Sequence, residues 1–165
     1  MDRIRFVILM AVFALGLSCI AHAAQSTGNT VAAPVPTQIL AAKKVFIANA
    51  SGEMALGPGD PDLTYNDFYA AMKTWGRYEI VGSPAEADMV LEIRFVAVPV
   101  AVSNGTWDYE IRLVMQDPRS KVTLWAFSQS IPQSGNKARA QQYFDQALGI
   151  VVDDLKKLAS RTAGS

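Results

Sequence analysis

The sequence predicts an α+β fold. In it, a mixed or antiparallel sheet of about five strands carries two helices on one face, a two-layer sandwich in the order β-α-β-β-β-β-α. Three observations point there. Met89, Leu91, Ile93 and Phe95 alternate with Val90, Glu92, Arg94 and Val96, and Trp107, Tyr109, Ile111, Leu113 and Met115 with Asp108, Glu110, Arg112, Val114 and Gln116, at the period of a half-buried strand. Phe68, Met72 and Trp75, and Ala140, Phe144, Ala147, Leu148, Val151, Leu155 and Leu158, recur at three and four, the period of one helical face. Glu92, Arg94, Asp108, Glu110 and Arg112 take the other strand positions, so water should reach the sheet face that the helices leave open.

The elements follow in order. Residues 43–49, KKVFIAN, read as a short central strand, apolar towards both faces. Residues 51–62 hold three glycines and two prolines and read as a loop. They lack the terminal Gly-Lys-Ser/Thr of a phosphate-binding loop. Thr64, with Asp67 three residues on, has the pattern of a capping box at the start of the first helix, and Gly76 stands at its C-terminal cap. Residues 78–81 are a short strand that Gly82-Ser83-Pro84 ends.

The long strand from Met89 becomes continuously apolar after Phe95. If Asn104-Gly105 is a two-residue type I′ turn, Val102 faces Trp107, Val98 faces Ile111 and Arg94 falls opposite Met115. The two halves of the strand are then out of phase by one residue. That predicts a β-bulge or kink between Phe95 and Pro99, with a longer turn as the competing account. Residues 117–121 are a turn, 122–131 a strand, and 137–158 a long helix with Lys156, Lys157 and Arg161 at its C-terminal end.

The chain of 165 residues suggests one domain at 43–160 and a tail at 161–165. Ahead of it, a basic start (Arg3, Arg5), an apolar run from Phe6 to Leu17 and the small-x-small triplet Ala21-His22-Ala23 have the layout of a signal peptide. Cleavage is expected after Ala23, which leaves a flexible leader over 24–42 and an exported, periplasmic or secreted protein. The alternatives are an uncleaved anchor over 6–24, or a lipid on Cys19. The lipid suits Gly16-Leu17-Ser18-Cys19 poorly, because leucine sits one place too late for a bacterial lipobox.

Cleavage would remove Cys19 and His22, the one cysteine and the one histidine. The exported chain would then have no thiol nucleophile, no histidine base, no disulfide and few ligands suited to zinc or copper. No cofactor and no catalytic residue is expected. It also loses two of 15 basic and one of 15 acidic residues and stays near neutral, which argues against nucleic acid as a partner. A membrane enters only through an uncleaved signal or a lipid on Cys19.

Several side chains invite a functional reading. Glu92/Arg94 and Glu110/Arg112 resemble an acid–base set, but cross-strand ion pairs on a wet face account for them. Asp88 reads as a strand-start polar residue. Asp60 and Asp62 lack the spacing of a calcium loop. Asn49 and Asn104 lie in glycosylation triplets, which a bacterial signal peptide and the turn at Asn104 discount. Trp75 belongs to the core, Trp125 could line a ligand site, and Tyr65 and Tyr69 could face outward. The best contact residues for a partner cluster around the hairpin: Trp107, Asn104, Tyr109 and Pro99.

The phrases "KKVFIAN", "ADMVLEIRF" and "YEIRLVMQDPRSKVTLWAFSQSI" resemble a group of bacterial envelope domains. The group includes the amino-terminal domain of TolB, the penicillin-binding-protein activator LpoB and related envelope lipoproteins. The resemblance runs from about Lys43 to Leu158. It implies a non-enzymatic domain that binds another envelope protein in the periplasm. Apolar ligand carriage, in a pocket between helices and sheet, is the alternative.

Overall fold

In the computed structural model, residues 33–51, 62–99 and 107–161 are described. Five strands form one sheet in the order β2-β1-β3-β4-β5. They are β1 (Lys44–Asn49), β2 (Glu79–Ile80), β3 (Met89–Pro99), β4 (Trp107–Gln116) and β5 (Thr123–Ile131). β1 is parallel to both neighbours, and β3, β4 and β5 are antiparallel in turn. Among the described residues three helices accompany them: α1 (Thr37–Ala41), α2 (Leu63–Trp75) and α3 (Lys137–Ala159), with a 3-10 turn at Pro84–Glu86. α2 packs over β1 and β3, α3 over β4 and β5, and the two helices touch. The α+β class is the one that the sequence predicts, and so is the element order from β1 onward, while α1 is an addition to it.

One layer of apolar side chains joins sheet to helices. Val45, Ile47, Met89, Leu91, Ile93, Ile111, Leu113 and Met115 come from the strands. Phe68 and Met72 of α2 and Phe144, Val151 and Leu155 of α3 close over them. Gly76 ends α2 with φ +66°, a left-handed conformation that costs glycine little, and its N–H bonds the Met72 carbonyl at 3.1 Å. Asn136 caps α3, its side-chain oxygen accepting the Arg139 N–H at 3.1 Å.

Four local expectations give way. Residues 24–42 do not all form a flexible leader. The compact unit begins at Ala33, and α1 buries Ile39 completely against the core. Pro36 precedes this single turn, too short to show a period in sequence. Thr64 is not the cap of α2 either. The cap lies two residues earlier, at Asp62, with no side-chain capping bond, and Thr64 is buried inside the helix.

The third correction concerns the hairpin. β3 pairs with β4 as Pro99↔Trp107, Ala97↔Tyr109, Phe95↔Ile111, Ile93↔Leu113 and Leu91↔Met115, without interruption. There is no bulge between Phe95 and Pro99. The longer connection is the correct account. Shifting the register by an odd number of residues puts Leu91, Ile93 and Phe95 on the same face as Ile111, Leu113 and Met115, which removes the phase conflict. The irregularity lies in the next ladder, where Gln116 pairs with Thr123 but Met115 with Trp125, so Leu124 is an extra residue in β5. Asn104-Gly105 and the signal segment fall outside the described residues.

The fourth is the pairing of charges. Glu92 bonds Arg94, and Glu110 bonds Arg112 at 2.8 Å, so each pair lies two residues apart along one strand. Across the ladder Arg94 stands opposite Arg112. Such like-charged neighbours repel, and each arginine is neutralised by the glutamate on its own strand. Among the described residues no helix is long and apolar enough to cross a membrane.

Candidate functional site

The fold places two groups of sequence-flagged residues at opposite ends. At the end where β3 begins and β4 finishes, the polar groups are tied to backbone. The Asp88 carboxylate accepts the N–H groups of Lys43 and Lys44, both at 2.9 Å. The Lys44 and Lys43 amides hold its pKa below the usual carboxylate range. Asp117 closes its turn by accepting the N–H of Arg119 (2.7 Å) and of Ser120 (2.8 Å). These bonds, Ser120 foremost and then Arg119 and the Gln38 amide, lower its pKa. Gln38 of α1 joins the two, donating to the Asp88 carbonyl (2.9 Å) and to the Asp117 carboxylate (3.0 Å). Asp88 is thus a clip on β1, as a strand-start polar residue should be.

The sheet's charged quartet is likewise internally bonded. Glu110 also accepts the Ser128 hydroxyl at 2.7 Å, and Gln116 donates to Glu92 at 2.9 Å. Ser128 first, then Arg112, lowers the Glu110 pKa. Asp62 accepts the Asn49 side-chain amide at 2.8 Å, and Asp60 lies outside the described residues. Among the described residues no three His, Cys, Asp or Glu side chains meet as a metal site.

The other end is different in kind. There β3 finishes, β4 begins, β5 ends and α3 starts. Phe95 and Tyr109, on adjacent strands and the helix-covered face, stack with ring centroids 5.5 Å apart and planes at 28°. They floor an open cleft of about 450 Å³ whose walls are Ile131, the Pro132–Gly135 loop, Ala140 and Phe144. Ala140 begins the apolar stripe of α3, yet it is only half-buried, because it lines this cleft.

Trp107, two residues before Tyr109 on β4, shares its face and is 37 % exposed. Its carbonyl accepts the Gln133 side-chain amide, which ties the hairpin to the cleft wall. Pro99 is exposed and pairs with Trp107. Three of the four expected contact residues therefore gather at this end, and Asn104 lies outside the described residues.

The remaining aromatic candidates are structural. Trp75 meets Tyr78 edge-on at 5.3 Å, and Trp125 is half-buried against the core. Tyr65 and Tyr69 do not face outward; both pack against the core, ring centroids 6.1 Å apart. Sequence reasoning missed the cleft itself, together with Phe95, Ile131, Ala140 and Phe144 as its walls. The available signal was Ala140, a small residue at the head of the stripe, one turn before Phe144.

No known protein family matches the sequence, and no curated protein does. Solved structures of similar shape exist. A PelC dodecamer from Paraburkholderia phytofirmans is 13% identical, with a TM-score of 0.45 over 79% of this chain and 96% of that one. Protein XCC0632 from Xanthomonas campestris, of family DUF330, is 14% identical, with a TM-score of 0.46 over 76% and 85%. Lipoprotein GNA1162 from Neisseria meningitidis is 13% identical, with a TM-score of 0.37 over 67% and 99%.

Proposed function

We propose that this chain is an exported, non-catalytic domain that acts by contact with another envelope protein, through the hairpin end of the sandwich. The observation that supports it most is the exposed Trp107 beside an apolar cleft floored by Phe95 and Tyr109. Large aromatic anchors next to a pocket are the usual energetic centre of a protein contact. The signal-peptide layout and the resemblance to TolB- and LpoB-type envelope domains point the same way. The polar residues that could have served chemistry are bonded to backbone or to each other.

A second reading rests on the cleft alone. Its volume of about 450 Å³ lies within the ~300–1,000 Å³ of small-molecule sites, which suits an apolar ligand carried in the periplasm. Native mass spectrometry of the protein isolated from its own cells separates the two. A complex with a second protein supports the first reading. A retained small molecule, lost when Ala140→Trp fills the cleft, replaces it with the second. A bare chain under conditions that preserve other envelope complexes counts against both.

A further inference from the structure

We infer that β5 is an assembly edge, by which the chain pairs with a second copy of itself across a two-fold axis. Among the described residues β5 has one strand partner, β4, and its other side forms the margin of the sheet. Beyond the extra residue Leu124 its ladder runs straight from Trp125 to Ile131. That stretch, WAFSQSI, contains no charge and no proline. Edge strands that are meant to stay single are usually short, charged, bulged or interrupted by proline. The opposite edge follows that rule. β2 has two residues, and its Glu79 makes an ion pair with Lys44 at 3.8 Å.

Two exposed apolar side chains lie along the same margin. Among the described residues only Trp107, Val122 and Ile150 are large, apolar and exposed. Val122, 58 % exposed, leads into β5. Ile150, 39 % exposed, is on α3. The side of α3 that meets α2 carries Asp145, Gly149, Val152 and Lys156 around a shared groove. Ile150 projects from the flank away from that groove, and since α3 packs over β4 and β5, this flank overhangs the β5 margin. Ser128 is ~10 Å along the strand from Ile131, and Ile150 is ~15 Å along the helix from Ala140. Ile131 and Ala140 both line the cleft, so Ile150 stands over the middle of the strand.

A second copy suits this surface for a reason that a generic partner does not supply. An isologous interface must be complementary to itself. A charged edge would set like charges face to face, whereas the strand's own side chains from Trp125 to Ile131 carry none, and the Glu110 carboxylate beside Ser128 is paired with Arg112 at 2.8 Å. With the axis at Ser128, the middle of the straight run, Ala126 meets Ser130, and Trp125 meets Ile131 of the other copy. The Ile150 flanks then close against one another. Ala126, Ser128 and Ser130 are exposed on the outer face.

The test uses the purified exported chain in sedimentation equilibrium. The native chain is expected to dimerise. Ala126→Lys with Ser130→Lys, and separately Ala126→Glu with Ser130→Glu, are expected to weaken the dimer about tenfold or more, with unchanged circular dichroism. An equimolar mixture of the two variants is expected to restore it as a heterodimer, because opposite charges then meet in the ladder. Ile150→Asp is expected to weaken the native dimer without touching the strand. A native chain that stays monomeric up to about 100 µM overturns the inference. So do folded variants that dimerise as well as the native chain, or a mixture that stays monomeric.

Discussion

At one end of the sandwich, Asp88, Asp117 and Gln38 direct their polar groups into the protein's own backbone and into each other. At the other, Phe95, Tyr109 and Phe144 line a cleft open to solvent, and Trp107 stands exposed beside it. By sequence, the first end looks more like a site, since it holds the carboxylates. The structure reverses that impression. The Asp88 carboxylate accepts two main-chain amides, which holds it in the fold, while among the described residues Trp107 presents an exposed aromatic surface beside the cleft. The first end is tied together by its own hydrogen bonds, and the second is the end we propose for contact with a partner.

The largest expected effect is at the structural end. Ile39→Ala should destabilise the domain by about 2–4 kcal/mol, the usual cost of emptying a fully buried aliphatic site, measured by urea unfolding. A flexible leader through Ala42 would make this substitution silent. At the working end, Ala140→Trp should leave stability within about 0.5 kcal/mol and reduce binding of anilinonaphthalene sulfonate about tenfold, or ~1.4 kcal/mol. Dye binding that survives the substitution would move the apolar site elsewhere. Gly76→Ala should cost about 1 kcal/mol, from the left-handed backbone rather than from crowding, since its nearest foreign atom is 4.0 Å from a built Cβ.

The smallest effect is in pH. Asp88, Asp117 and Glu110 all have pKa values lowered in the fold. Each binds its proton less readily when folded, so its contribution is fully present above the unfolded carboxylate value of ~4 and is lost as pH falls through the lower folded value. Stability should be flat near neutrality and decline below about pH 4. Asp88→Asn should shallow that decline slightly, because the group is solvent-exposed and screened. A decline that begins near pH 6 would mean that another titrating group governs it.

Most of the scaffold was legible in sequence because its signals are periodic. Alternation through Ile111, Leu113 and Met115 and the three–four spacing of Phe144, Leu148, Val151 and Leu155 fix which faces are buried. What escaped lacks a period or depends on register. α1 is one turn long. The fit of β3 on β4 hinges on the length of the connection between them, so the strength of Asn104-Gly105 as a turn signal led to a bulge that is absent. The candidate site was half legible. Trp107, Tyr109 and Pro99 were read from the hairpin, but Ile131 reaches the cleft by pairing opposite Tyr109, and Ala140 and Phe144 reach it through the packing of α3 on the sheet, from elements far away in sequence.

The central claim, that the hairpin end is the working end, is tested most directly by placing a photo-cross-linking residue at Trp107 in one variant and at Arg119, beside Asp117, in another. Both are irradiated in the cells that export the protein. A discrete protein adduct at position 107, abolished by Ala140→Trp and missing at position 119, is the expected result. Adducts at position 119 with none at 107 would contradict the account and return the functional surface to the carboxylate end.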